Sequence, residues 1–148
     1  MATILIVDDE GKMRALLAMA LDAEGHAVIE AGSAERALDA VKSDKPDVVI
    51  TDVRMPGMSG LELLKIIKSQ HPSIECIVMT AFADAKTGIE AMRSGAMEYV
   101  PKPFEMDEML LHVKAAVEKG SLKGEVRKLK EELAGRFSLA GIIGTSKA

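Results

Sequence analysis

Five short apolar runs alternate with five amphipathic helical stretches between residues 4 and 119, and this alternation restricts the fold more than any other feature. The runs are Ile4–Val7, His26–Ala31, Val48–Ile50, Ile74–Thr80 and Met97–Val100. Val48, Val49 and Ile50 are consecutive and β-branched, which suits a strand buried on both faces of a parallel sheet. The second run centres on Val28 and Ile29 between polar flanks and is expected at an edge. In Lys12–Glu24, residues Met13, Leu16, Leu17, Ala20 and Leu21 recur at helical spacing and form one apolar face, stopped by Gly25. Ser33 can cap a second helix carrying Ala34, Ala37, Leu38 and Val41. Ser59 and Glu62 form a capping box that opens a third helix, with Leu63, Leu64, Ile66 and Ile67 inward and His71-Pro72 at its end. The fourth helix, Asp84–Ser94, has few apolar anchors, chiefly Ile89 and Met92. Its interior Gly88 costs about 1 kcal/mol relative to alanine, so this helix is expected to be the least firmly held. The last opens on Glu105, Asp107 and Glu108, acids suited to the positive end of a helix dipole. It packs Met106, Met109, Leu110, Val113 and Val117 on the sheet.

Such alternation implies βαβ units with right-handed crossovers and a single parallel sheet covered on both faces. The expected fold is α/β: a flavodoxin-like, doubly wound, five-stranded parallel sheet of order 2-1-3-4-5. In that order strands one and three meet at the switch point, and ligands bind beyond the carboxyl ends of the strands. Asp8-Asp9 follow the first run, and Asp52 falls where the third gives out, just before Met55-Pro56-Gly57. An isolated aspartate before Pro-Gly ordinarily caps a turn. Here Asp8, Asp9 and Asp52 share one crevice. Three crowded carboxylates repel unless protons or a cation neutralise them, and an open, all-oxygen acidic site suits Mg²⁺. The fourth and fifth runs end at Thr80 and Lys102, and prolines on both sides of Lys102 restrict the backbone that aims it. Together these residues make a phosphoryl-transfer constellation. Asp52 is the nucleophile, and Lys102 and Thr80 hold the transferred group.

Four motifs carry a resemblance: Asp8-Asp9, the stretch from Thr51-Asp52-Val53-Arg54 to Gly60, Met79-Thr80-Ala81, and Tyr99-Val100-Pro101-Lys102-Pro103-Phe104. In order and spacing they resemble the receiver domain of two-component response regulators, over about residues 3–119. The resemblance implies a phosphorylation-activated switch in which a histidine kinase supplies the phosphoryl group and Asp52 accepts it. It makes Asp9 a direct Mg²⁺ ligand, Asp8 a ligand through water, and the backbone carbonyl of Arg54 a further ligand. Thr80 and Tyr99 match the family's switch pair, and the Lys102-Pro103 bond is expected to be cis. The face spanning residues 84–103 is the expected output surface.

After Gly120 the register changes. Leu122, Val126, Leu129 and Leu133 follow at spacings of four, three and four, an a/d seam with mixed Lys and Glu around it. A solvated linker helix would carry the same pattern; the sharper reading is a coiled-coil linker pairing two receivers into a homodimer, with the 84–103 face as a second contact. The expected division is a receiver over residues 1–119, a helical linker over 120–135 and the start of an AAA+ ATPase domain over 136–148. That last segment, with its Ile-Gly-x-Ser, resembles bacterial enhancer-binding transcription activators, in which a receiver and linker precede the ATPase. No phosphate-loop motif occurs anywhere in the sequence. The chain reads as the regulatory portion of a longer protein.

Net charge is −4 with no basic stripe, which argues against direct nucleic-acid binding. No apolar run approaches the ~20 residues of a membrane span, so a cytoplasmic location is expected. Cys76, the single cysteine, excludes an internal disulfide framework and reads as a buried core thiol. Two other functions fit parts of the pattern. An aspartate-nucleophile phosphatase would use similar carboxylates and Mg²⁺, but such enzymes carry caps or long loops and the connections here are short. A stand-alone receiver module would leave residues 120–148 superfluous.

Overall fold

Side-chain alternation along each strand divides the core between the two faces of one sheet. The computed structural model describes residues 2–81 and 85–120. Strands β1 (Thr3–Val7), β2 (Ala27–Ala31), β3 (Val48–Asp52), β4 (Glu75–Thr80) and β5 (Glu98–Pro101) pair in parallel in the order β2-β1-β3-β4-β5. The doubly wound order expected from the alternation is the one observed, with β2 at an edge. Helices α1 (Gly11–Ala23), α2 (Ala34–Asp44), α3 (Gly60–Gln70) and α4 (Ala85–Arg93) connect the strands, and α5 runs over residues 106–120.

One core cluster includes Ile4, Ile6, Val48, Ile50, Ile77, Met79 and Val100, packed with Leu17 and Leu21 of α1 and Met109, Val113 and Ala116 of α5. The other takes the alternate strand residues, among them Leu5, Val7, Val49, Cys76 and Val78, against α2, α3 and Ala91 of α4. All residues of β3 and β4 are buried, as a strand covered on both faces requires. Complete burial of each large apolar side chain among them contributes roughly 1.5–3 kcal/mol, so the central strands hold the sheet.

The starts of α2 and α3 follow local chemistry. Ser33 Oγ accepts the Arg36 amide at 3.2 Å. At α3 the capping box is complete: Ser59 Oγ accepts the Glu62 amide at 3.2 Å, and Glu62 Oε1 accepts the Ser59 amide at 3.3 Å. Two helices are rotated relative to the periodicity. Of the expected α1 face, Leu17 and Leu21 are buried as anchors, while Leu16 is 56% exposed. In α4 the expected anchors Ile89 and Met92 are 54% and 50% exposed, and Ala91 is the buried contact. Gly88 packs on Tyr99, and Ile89 and Met92 line the open groove beside that contact. Asp84, expected to begin this helix, lies outside the described residues, as do Leu122, Val126, Leu129 and Leu133 and the segment 136–148. Among the described residues no helix is long and apolar enough to cross a membrane.

Candidate functional site

The register of β1 on β3 pairs Val7 with Thr51, so Asp8 and Asp52 leave neighbouring strands side by side. Asp8 is completely buried, Asp52 nearly so, and Asp9 is exposed. Carboxylate oxygens of the three lie within 4.8 Å of one another. Lys102, just past β5, reaches across the sheet end: its Nζ stands 3.0 Å from Asp8 Oδ2 and 3.0 Å from Asp52 Oδ2. The Lys102 backbone amide donates to the Thr80 carbonyl at 2.7 Å, and the Lys102-Pro103 peptide is cis, as the family pattern implies. The convergence of Asp8, Asp9, Asp52 and Lys102 expected from the topology is therefore present.

Burial alone would lower the Lys102 pKa, but hydrogen bonds and charge from Asp8 and Asp52 outweigh it, and the ammonium is held above its ordinary value. The other carboxylate oxygens are held by backbone donors. Asp8 Oδ1 accepts the Glu10 amide at 2.9 Å, and Asp52 Oδ1 accepts the Arg54 amide at 3.3 Å. Three carboxylates against one ammonium leave two negative charges uncompensated within the cluster. An all-oxygen donor set with that balance fits a hard divalent cation such as Mg²⁺.

Thr80 closes β4, is buried and pairs in register with Pro101, so it stands between Asp52 and the strand that delivers Lys102. Tyr99 pairs with Val78 and packs on Gly88 of α4, away from the carboxylates. A groove of about 700 Å³ runs along this side, lined by Ala85, Gly88, Ile89, Met92, Arg93, Glu98 and Tyr99.

Sequence reasoning missed two residues. A Cβ on Gly60 would overlap the Asp52 carbonyl oxygen, and the Gly60 amide donates to Val53 at 2.8 Å, so this glycine lets the loop after β3 close on the strand end. Arg14 bonds the Asp8 carbonyl at 2.6 Å through Nη1. A basic residue beside the apolar face of α1 was the available signal for the second; Gly60 gave none beyond its place after the Ser59 cap.

An acidic crevice with a lysine bridge at the switch point of a 2-1-3-4-5 sheet places the chain among doubly wound α/β domains with a site at the strand ends. The chain belongs to the response regulator receiver domain family, whose model matches residues 4–114. It is thus a phosphorylation-activated switch. It is similar to the regulatory protein AtoC of Escherichia coli K12, 39% identical over 145 residues, which cover 98% of this chain and 32% of that protein. It is 43% identical over 112 residues to the DNA-binding transcriptional regulator NtrC of Klebsiella pneumoniae, covering 76% of this chain and 24% of that one. Among solved structures, NtrX of Brucella abortus in complex with ADP superposes with a TM-score of 0.83 at 35% identity, covering 98% of this chain and 31% of that one. A response regulator receiver domain protein from Clostridium thermocellum does so at 0.78 and 32% identity, covering 82% of this chain and 98% of that one. The chain spans about a third or less of the length of these two curated relatives.

Proposed function

We propose that Asp52 accepts a phosphoryl group from a sensor histidine kinase and that the change at this carboxylate governs a transcription-activating AAA+ domain in the longer protein. The observation that carries the reading is the Lys102 ammonium, 3.0 Å from both Asp8 and Asp52 with Asp9 alongside. A carboxylate oxygen of Asp52 attacks phosphorus, the bond from phosphorus to the donor's leaving nitrogen breaks, and an acyl phosphate forms. Lys102 holds the transferred group, and the Thr80 hydroxyl turns to it. Asp8, Asp9, Asp52 and the Arg54 carbonyl would hold Mg²⁺, which offsets charge on the phosphoryl oxygens when bound.

Thr80 moving towards the phosphoryl group frees space beside β4, into which Tyr99 moves, and α4 follows. Shifting such an equilibrium from 1:99 to 99:1 takes about 5.5 kcal/mol of differential stabilisation, and a few charge-assisted hydrogen bonds contribute a good part of that. The small buried contact of α4, limited to Ala91, supports its being the moving part. Output then passes through the 84–103 face and a homodimer joined by the 120–135 linker, with an ATPase domain beginning at 136–148. We assign the protein to the cytoplasm, without direct nucleic-acid contact by this chain and with no catalysis beyond its own phosphoryl transfer and dephosphorylation. Incubation with Mg²⁺ and a small acyl-phosphate donor should yield one hydroxylamine-labile phosphoryl group by mass spectrometry, absent in Asp52→Asn. Phosphorylation persisting in that variant would end the assignment.

A further inference from the structure

Asp9 is the exposed member of the acidic cluster, and its carboxylate takes no hydrogen bond among the described residues. Its placement depends on the backbone around it. The Arg14 amide donates to the Glu10 carbonyl at 3.2 Å, and Arg14 Nη1 donates to the Asp8 carbonyl at 2.6 Å. The first is the ordinary bond of the opening helical turn, so it is the guanidinium that specifically grips the peptide between Asp8 and Asp9. The guanidinium is held in turn by Glu30 of β2, with Nε 3.3 Å from Oε1. Gly32 leaves room for it, since a Cβ there would stand 3.3 Å from Nη1. On its other side the Asp8 peptide is tied to β2 by its amide, which donates to Ala31 at 3.2 Å.

Carboxylates on consecutive residues repel, and an untethered turn would relieve that by rotating the peptide between them. The guanidinium fork satisfies Asp8 and Glu30 together in a fixed geometry, which a lysine ammonium does not reproduce. We infer that Arg14 is a positioning residue, which holds the Asp8-Asp9 turn in its cation-binding shape and sets divalent-cation affinity from outside the donor set. The inference rests on the reading of Asp8, Asp9 and Asp52 as a Mg²⁺ site. Groups that orient metal ligands ordinarily change affinity by about 10- to 100-fold when removed.

Electrostatics alone predicts the opposite sign. Arg14→Met removes a positive charge near the site and would tighten cation binding, whereas loss of positioning weakens it. Calorimetric titration of the folded chain with Mg²⁺ should show Arg14→Met weaker by about tenfold, with Arg14→Lys between it and the parent protein. Unchanged or tighter binding by Arg14→Met overturns the inference. A merely structural role would lower the unfolding temperature and leave the Mg²⁺ affinity of the folded chain alone. Should Arg14→Met not fold, Gly32→Val decides, because it crowds the guanidinium off the Asp8 carbonyl without changing charge. Weakening by about threefold supports positioning, and an unchanged affinity overturns it. Asp9→Asn separates the two readings. If it binds Mg²⁺ as tightly as the parent, the metal-site reading fails; if it loses binding while Arg14→Met keeps it, only the role of Arg14 fails.

Discussion

The ring of Tyr99 lies against the backbone of Gly88, so close that a Cβ on Gly88 would stand 3.2 Å from Tyr99 Cε2. The glycine that weakens α4 is thus the one that seats the aromatic ring on β5. Gly88→Ala would gain helix propensity, up to about 1 kcal/mol, and force the ring outward by a few tenths of an ångström. The ring borders an open groove and can give way. We expect net stabilisation of about 0.5 kcal/mol, read from urea unfolding. The sequence contains one tyrosine and no tryptophan, so intrinsic fluorescence reports the ring's displacement directly. An unchanged tyrosine spectrum would show that the contact exerts no force on the ring.

Gly60 allows no such relief. Its missing Cβ faces backbone, the Asp52 carbonyl and the Val53 Cα, not the end of a flexible side chain. Gly60→Ala must reopen the turn beneath Asp52. The expected cost is on the order of 2–4 kcal/mol in urea unfolding, with phosphorylation lost in whatever fraction stays folded. A stability within about 0.5 kcal/mol of the parent would contradict the packing.

Lys102 offsets charge that a divalent cation would also offset. Lys102→Met should therefore lower stability by roughly 2–3 kcal/mol when Mg²⁺ is chelated, because Asp8 remains buried beside Asp52 without its counter-charge. Adding Mg²⁺ should recover most of the loss, and calorimetry should find tighter Mg²⁺ binding alongside slower phosphorylation. If Mg²⁺ failed to restore the melting temperature, lysine and cation would not be sharing those carboxylates.

Cys76 is sealed in the core beneath α3, and burial pushes its thiol pKa up to about 12. Labelling with a thiol reagent at pH 8 should proceed only as fast as the protein unfolds. The sign of the pH effect follows from the same shift. Below pH 9 the thiol is protonated in both states and contributes nothing. From pH 9 upward the unfolded chain releases its proton while the folded chain keeps it to about 12, so stability falls. Relative to its difference at pH 7, Cys76→Ala should gain about 1.4 kcal/mol on the parent at pH 10. Rapid labelling of the native protein would show that the thiol is not buried.

Much of this architecture is legible in local pattern. Val48–Ile50 declared a strand covered on both faces, Ser59 and Glu62 declared a capped helix, and both features stand. The placement of the charged groups was legible as well, because Asp8 falls one residue past an apolar run and Asp52 and Lys102 two residues past theirs, where a parallel sheet exposes its strand ends. Periodicity misled at α4, where Ile89 and Met92 mark an apolar stripe that lies open to the groove while Ala91 makes the core contact.

Strand periodicity, caps and the polar residue ending each run depend on neighbours a few positions away, so the amino-acid order alone determined the elements, the sheet order and the acidic crevice. Which side of α4 meets the sheet, why residue 60 must lack a side chain, and which cation steadies the turn around Asp9 were decided only by tertiary structure. Those answers depend on approaches between segments far apart in the chain, Gly88 with Tyr99 and Arg14 with Glu30. Contact geometry of that kind is set by the packed sheet and helices, and no local spacing encodes it.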